Sequence, residues 1–159
     1  NLKINDFGSV EEKKLMDEFK LGVIVPYKLI TSLICNPKFK IKKVVNIGSI
    51  YGVVAPNRNL KDLNKDPIHY GITKAALIHL TKELAVRFAY KGININCISY
   101  GGVEGRVDQE FMKKYSKLCP SGNMLKADDL SAPLDMLLSN GSEAINGHNL
   151  MVDGGWTIW

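Results

Sequence analysis

"VVNIGSIYGVVAPN", residues 44–57, is the stretch of this sequence that decides the fold. It opens with a short, mostly β-branched run, Val44 to Ile47, of the kind found in strands that are covered on both faces. Gly48 and Ser49 follow at once, and further Gly and Pro residues mark a loop. The stretch therefore predicts a buried strand that presents one small hydroxyl, that of Ser49, at its carboxyl end. In a structural role this hydroxyl caps a turn, and in a functional role it contacts a ligand.

Helices and strands alternate on both sides of this strand. A capping box at residues 9–12 opens a helical pattern that runs toward Cys35, with a kink expected at Pro26. The sequence further predicts, in chain order, a helix over 67–90 with Gly92 as its C-cap, a strand over 93–98, helices over 111–118 and 127–138, and a strand over 149–152. Strands separated by helices form right-handed crossovers in a parallel sheet. We therefore expect one α/β domain over residues 1–159, with the strand at 44–47 on an open edge.

Composition places the chain among ordinary globular domains, with 159 residues of which 45% are hydrophobic and 23% charged. The net charge of +5 comes from dispersed lysines, and no basic stripe with interleaved aromatics suggests nucleic-acid binding. The most apolar run, residues 21–35, contains Pro26 and Lys28 and is too short to span a bilayer. We expect no nucleic-acid partner, no membrane segment and no signal peptide.

The three cysteines, Cys35, Cys97 and Cys119, are widely separated and odd in number. They lack the paired spacing of a zinc site or of a disulfide framework. The expectation is therefore a protein without a metal site in the reducing environment of the cytoplasm.

Candidate chemistry lies where the strands end. Each predicted strand is followed by a glycine-rich loop, and ligands of parallel sheets bind outside the carboxyl ends of the strands. Tyr70 and Lys74 stand four residues apart on the predicted second helix, so they share one face. A phenol is a weak acid at neutral pH, and a neighbouring ammonium favours its charged form. Because the start of this helix meets the end of the preceding strand, Ser49 and Tyr70 are expected to converge.

Four motifs carry a family resemblance. The segments "NIGSIYG", "YGITK", "INCISYGGV" and "GHNLMVDGGW" follow one another in the order found in the short-chain dehydrogenase/reductase family. The resemblance covers nearly the whole chain and corresponds to the C-terminal part of that domain. It implies a Rossmann-type doubly wound parallel sheet whose N-terminal half is not in this chain. It also implies a nicotinamide-dependent oxidoreductase that uses NAD or NADP on a small-molecule substrate.

The resemblance also implies residue roles. Tyr70 would be the acid/base, Lys74 would hold the nicotinamide ribose hydroxyls, and Ser49 would orient the substrate carbonyl or alcohol. Residues from about 104 to 126 would form a mobile substrate loop. The cofactor contacts implied are Ile47, Tyr70, Lys74, Gly101, Gly102 and Val103.

The sequence departs from the family pattern at several places. The glycine-rich dinucleotide fingerprint is not found, and Tyr100 and Gly105 stand where the family has Pro and Thr. The family's catalytic Asn falls near residues 19–22, which read Phe-Lys-Leu-Gly, with Lys20 as the candidate for its place. These departures keep a second hypothesis open, a degenerate non-catalytic relative that acts as an oligomerisation or interaction partner. A third is a different α/β binding domain with accidental motifs.

Four narrower expectations complete the sequence interpretation. Details such as the insertion between Ser49 and Tyr70 are most similar to family members of bacterial surface-sugar and flagellin-glycan pathways, which implies a sugar or sugar-nucleotide substrate. The resemblance implies a homodimer or homotetramer formed through the helices flanking the Ser49 strand. Trp156 and Trp159 look exposed near the end of the sequence and are expected to take part in packing or an interface rather than in cofactor stacking. His69 is expected to pack at the start of its helix.

Overall fold

The computed structural model describes residues 10–60 and 68–159 of the chain. Its α-helices are α1 (Glu12–Phe19), α2 (Val25–Cys35), α3 (Ile68–Phe88), α4 (Gln109–Leu118) and α5 (Ser131–Leu138). Its strands are β1 (Lys43–Ile47), β2 (Asn94–Tyr100) and β3 (Asn149–Val152). A π-helical turn joins α1 to α2 over Lys20–Ile24. Short 3₁₀ turns cover Ile50–Gly52, Ala89–Lys91, Ala127–Leu130 and Asn140–Ser142.

The three strands form one parallel sheet in the order β1-β2-β3. In the described part of the chain β2 pairs on both sides, with Val45 opposite Asn96 and Ile98 opposite Leu150, and β1 lies at an edge. The expected parallel sheet and its edge strand are confirmed. β2 is also the most buried strand, because only its two terminal residues retain intermediate exposure.

Helices cover both faces of β2. On one face Ile95 packs with Ile30 and Ile34 of α2 and with Leu84 of α3. On the other face the side chain of Asn94 donates to the Glu143 carbonyl, and the amide of Asn96 donates to the Ile145 carbonyl. Since side chains alternate along a strand, neighbouring residues of β2 bind to opposite layers, as the doubly wound fold requires.

The first helical segment differs from its prediction in one detail. The Ser of the predicted capping box, Ser9, lies outside the described residues, and Glu11 at the start of α1 makes no side-chain cap. The chain is helical to Cys35, but its irregularity is a π turn that ends just before Pro26. Pro26 lies in the first turn of α2, directly after the π turn of this continuous helical segment. Its missing N–H removes one hydrogen bond there, which accounts for an irregularity at this place.

The remaining elements agree with the sequence within a few residues. α3 ends in a 3₁₀ turn capped by Gly92, whose φ of 64° lies in the left-handed region that favours glycine. β2 runs two residues further than predicted, because Tyr100 pairs with Val152 of β3. Pro133 sits in the first turn of α5 and is tolerated there. Part of the predicted loop at 57–67, residues 61–67, lies outside the described range.

Trp156 takes part in packing as expected, but its exposure is a correction to the sequence interpretation. It is buried, not exposed, and its ring stacks on that of Tyr115 with the ring centroids 4.3 Å apart and an interplanar angle of 16°. The two rings belong to a second hydrophobic cluster, which contains Ile50, Leu60, Cys119 and Met124 as well. Trp159 is exposed as expected. The segment around α4 therefore packs on the turn that follows β3.

Candidate active site

Ser49 lies two residues after the end of β1, beyond Gly48, and is buried, with 7% of its surface exposed. Its side-chain oxygen accepts a hydrogen bond of 3.2 Å from the Tyr51 N–H and so caps the 3₁₀ turn Ile50–Gly52. The hydroxyl proton is not consumed by this bond, and residues 10–60 and 68–159 offer it no acceptor in hydrogen-bonding geometry. Ser49 therefore combines the structural role with a hydroxyl that can still donate to a ligand.

Two glycines bring the turn after Ser49 against α3. A Cβ on Gly52 would lie 2.8 Å from the carbonyl carbon of Lys74, and one on Gly71 would lie 2.9 Å from the carbonyl oxygen of Tyr51. Real Cβ atoms do not approach backbone this closely, so both positions need glycine for packing. The close approach places the end of β1 beside the first turns of α3, where Tyr70 lies.

Lys74 links α3 to β1. Its ammonium donates a 2.8 Å hydrogen bond to the carbonyl oxygen of Ile47 and lies 5.7 Å from the centre of the Tyr70 ring. An ammonium has three N–H groups, so two remain for a ligand. Tyr70 itself is 38% exposed, which leaves its phenol accessible from the surface. The expected one-turn spacing of the two side chains thus produces a cation next to an accessible phenol.

One cavity of about 440 Å³ joins the three candidate catalytic residues. Besides Ser49, Tyr70 and Lys74 it is lined by Ile47, Gly48, Tyr100, Gly101, Val103, Leu130 and Leu134. Of the residues that the sequence assigned to the site, only Gly102 does not line it. Leu130, of the 3₁₀ turn Ala127–Leu130, and Leu134, of α5, were missed because they are distant in the sequence and carry no chemical signal in it. Tyr100 was singled out as a departure from the family, not as a lining residue.

The loop after β2 keeps few free backbone groups. Gly101 N–H donates to the Val152 carbonyl, and Gly102 N–H donates to the hydroxyl oxygen of Tyr115. The Gly102 carbonyl accepts from Leu125 N–H. Within the described residues the Val103 N–H donates to no protein acceptor. Val103, and not the two glycines, therefore offers the loop's backbone donor beside the cavity.

Burial raises the pKa of three other titratable side chains near the cavity. It raises the pKa of Tyr115 to about 12 and raises that of Tyr100, whose hydroxyl donates a 2.6 Å hydrogen bond to the Leu130 carbonyl. Burial also raises the pKa of the Cys97 thiol to about 11, although the Lys74 charge opposes this. All three stay protonated at neutral pH. Tyr70 is the tyrosine of the site that stands beside an ammonium.

The region expected to hold the family's Asn has a distinct geometry. Lys20 is exposed at the start of the π turn, and Gly22 of that turn is in contact with the Thr73 methyl group of α3. Thr73 is buried, and its hydroxyl oxygen has no hydrogen-bond partner among residues 10–60 and 68–159. His69 lies in the first turn of α3 and is partly buried, and its buried Nδ1 has no hydrogen-bond partner within the described part of the chain.

Residues 35–157 match the family model described as enoyl-(acyl carrier protein) reductase, one of the short-chain dehydrogenase models. The chain belongs to the short-chain dehydrogenase/reductase family. The resemblance of the four motifs and the Rossmann-type fold class are thereby confirmed, and members of this family are oxidoreductases.

Two curated proteins of the short-chain dehydrogenase/reductase family show how similar this chain is to its relatives. Post-translational flagellin modification protein A of Campylobacter coli is 35% identical over 117 residues, which cover 72% of this chain and 46% of that protein. A 2-dehydro-3-deoxy-D-gluconate 5-dehydrogenase of Bacillus subtilis is 32% identical over 124 residues, or 72% of this chain and 44% of the relative. The chain spans less than half the length of these two curated relatives.

A solved short-chain dehydrogenase from Leptospira borgpetersenii with bound NAD+ superposes with a TM-score of 0.87 at 32% identity. The superposition covers 96% of this chain and 59% of that structure. The chain therefore has the fold of the corresponding part of a short-chain dehydrogenase domain. In the described residues no group of three or more His, Cys, Asp or Glu side chains could hold a metal ion. No helix of the same residues is long and apolar enough to cross a membrane.

Proposed function

We propose that this chain supplies the catalytic site of a NAD(P)-dependent oxidoreductase that reduces a carbonyl or oxidises an alcohol. One observation carries the proposal: Ser49, Tyr70 and Lys74 line one cavity, with the Lys74 ammonium held between the Ile47 carbonyl and the Tyr70 ring. These groups can donate a hydrogen bond, exchange a proton and stabilise negative charge, which are the tasks of carbonyl reduction.

The lining of the cavity suits the nicotinamide end of a dinucleotide. Gly48 and Gly101 keep the wall free of side chains, Val103 offers an N–H, and Lys74 offers two further N–H groups for ribose hydroxyls. Bound nicotinamide would supply hydride transfer to or from the substrate carbon. Ile47 and Tyr70 would also contact the cofactor, whereas Gly102 would act through the shape of its loop.

The protein's own part in the reaction is proton handling and orientation. Tyr70 would give its phenol proton to the substrate oxygen in reduction and take it back in oxidation. Ser49 would donate a hydrogen bond to the same oxygen, and the Lys74 charge would stabilise the phenolate. Because Tyr70 is accessible from the surface, its proton can be replaced from solvent without the Asn that the family uses.

The names of the relatives favour a sugar or sugar-derived substrate. The named relatives include a dehydrogenase of a deoxy-gluconate and a flagellin modification protein. The chain is also basic, with a net charge of +5, which is compatible with an anionic ligand.

Self-association is the further part of this proposal. Helices α1, α2 and α3 leave large apolar side chains exposed, and such patches mark interaction surfaces. The exposed set includes Met16, Val25, Leu29, Ile68, Ile72 and Val86, together with Leu21 of the π turn between α1 and α2. We propose that these helices pair with a second copy of the chain, giving a homodimer or homotetramer.

A non-catalytic interaction partner is the second candidate function. The observation in its favour is that residues 19–22 contain no Asn and that Lys20 points to solvent as an exposed residue. It predicts that the native protein binds no dinucleotide.

Titration with NADH and NADPH, followed by fluorescence, separates the two candidates. The oxidoreductase binds one of them, and Tyr70→Phe retains that binding while turnover on a panel of sugar-derived carbonyls falls at least about 100-fold. Tyr90→Phe, which changes an exposed tyrosine at the far end of α3, is the matched control. Absence of dinucleotide binding by the native protein would reject the oxidoreductase, and full turnover by Tyr70→Phe would remove Tyr70 from its role.

A further inference from the structure

A tyrosine from α4 holds the loop after β2. Tyr115 is 2% exposed, and its hydroxyl oxygen accepts a 2.9 Å hydrogen bond from the Gly102 N–H. The Tyr115 ring also stacks on the ring of Trp156. These two contacts hold the Tyr115 side chain between the loop after β2 and the turn after β3. Tyr115 thus joins three segments that are distant in the sequence.

The two glycines of the loop are shaped to this tyrosine. A Cβ on Gly102 would lie 2.7 Å from Cε2 of Tyr115, and a Cβ on Gly101 would lie 3.0 Å from its hydroxyl oxygen. A pair of glycines has unusually large backbone freedom, so the sequence of the loop does not stiffen it. Contacts from outside must hold it, and Tyr115 touches both glycines.

The Tyr115 contact also decides which donor the loop offers to the cavity. Because Gly102 N–H is bound to Tyr115, it is directed away from the cavity, which Gly102 does not line. Val103 lines the cavity and keeps an N–H without a protein acceptor in the described chain. The segment that carries Tyr115 is itself bound to the loop, through Leu125 N–H to the Gly102 carbonyl and Glu104 N–H to the Leu125 carbonyl.

We propose that Tyr115 is a positioning residue that couples the order of the substrate segment, residues 104–126, to cofactor binding. This inference rests on the proposed function. A cofactor that contacts Val103 needs the loop in its present conformation, and the loop adopts it when α4 delivers the Tyr115 hydroxyl to Gly102. Coupling between two sites is reciprocal, so a bound cofactor stabilises α4 in return.

Tyr115 acts through this contact and not as a proton carrier. Burial raises its pKa to about 12, so the phenol remains neutral where the enzyme works. Its hydroxyl accepts the Gly102 N–H as a neutral group, and such a bond contributes a factor of about three to ten in an equilibrium.

The test uses Tyr115→Phe in the native protein, because Phe keeps the ring and its stack on Trp156 and removes only the acceptor. We expect the dissociation constant for NADH, or for NADPH if that is the preferred cofactor, to rise about three- to tenfold. The cofactor KM rises by the same factor, while kcat at saturating cofactor changes by less than about twofold. Tyr90→Phe is the control and leaves all three unchanged.

Hydrogen exchange of the wild-type protein gives a second measurement that needs no variant. We expect NADH to slow amide exchange across 109–118 in the wild type and in Tyr90→Phe. In Tyr115→Phe, NADH should not slow exchange over these residues. If the amide exchange rate over 109–118 in the wild type is the same with and without NADH, the inference is overturned. A Tyr115→Phe protein that binds the cofactor as tightly as the wild type does also overturns it. If the wild type binds no dinucleotide, the proposed function fails together with the inference. If the wild type binds one and either of the other two results is found, the inference alone fails.

Discussion

The Lys74 ammonium donates a 2.8 Å hydrogen bond to the carbonyl oxygen of Ile47. This bond ties the helix that carries Tyr70 to the last residue of the strand that precedes Ser49. It therefore sets the relative position of the acid/base candidate and the orienting hydroxyl, in addition to placing a positive charge near the phenol.

Replacing Lys74 by Met removes the charge and the link to Ile47 while keeping an unbranched side chain. We expect turnover to fall at least about 100-fold, because the phenolate loses its stabilising cation, and NADH binding to weaken as well. Steady-state kinetics and fluorescence titration measure the two effects. Lys82→Met, at an exposed position of the same helix, should leave both unchanged. Wild-type turnover in Lys74→Met would contradict the assigned role.

Gly52→Ala tests the close approach between the turn after Ser49 and α3. The new methyl group would lie 2.8 Å from the backbone of Lys74 and 2.7 Å from Cδ1 of Ile78, so the turn must move. We expect the free energy of unfolding to fall by about 1–3 kcal/mol, measured by chemical denaturation. Gly141→Ala is the matched control, since its Cβ would meet nothing closer than Ser139 Oγ at 3.8 Å. Equal stability of the two variants would argue against a packing requirement at Gly52.

The Cys97 thiol should resist alkylation while the exposed Cys35 reacts. Burial raises the pKa of Cys97 from its ordinary value of 9.0 to about 11, and only the thiolate is the nucleophile. The unfolded chain releases this proton first, so the free energy of unfolding is unaffected below about pH 9 and falls as the pH rises toward 11. Mass spectrometry after iodoacetamide treatment at about pH 8 reports the labelling of each thiol. Equal labelling of Cys97 and Cys35 in the folded protein would show that Cys97 is not buried.

Val86→Glu should weaken self-association. Val86 is 78% exposed and shares one stripe of α3 with exposed Ile72, two heptads away, so a charge there would be buried unpaired in a helix-pairing interface. Analytical ultracentrifugation should show a dimer or tetramer for the wild type. The variant should dissociate at a higher protein concentration than the wild type does. Ile158→Glu introduces the same charge on an equally exposed apolar residue near the C-terminus and should not dissociate the oligomer. A wild type that sediments as a monomer would contradict the proposal.

Most of the fold could be predicted because its signals are local. The β-branched run of β1, the apolar stripe of α3 and the glycine at position 92 each reflect the geometry of one element. The predicted strands and helices accordingly agree with the structure, and the parallel order follows from the crossovers between them. The one-turn spacing of Tyr70 and Lys74 is likewise local.

Only the tertiary structure decided the contacts between segments that are far apart in the sequence. The burial of Trp156, the use of the Gly102 N–H by Tyr115 and the lining of the cavity by Leu130 and Leu134 depend on how elements pack. No periodicity encodes such contacts, because they arise from distances of a few ångströms between side chains of different elements. The sequence by itself determined which residues form the strand and the helix, and that Tyr70 and Lys74 share one face of that helix, because each follows from local spacing. The proposal that Ser49 acts together with them came from the family resemblance. The tertiary structure decided which backbone groups of the loop remain for a ligand, because that depends on a ring brought in from α4.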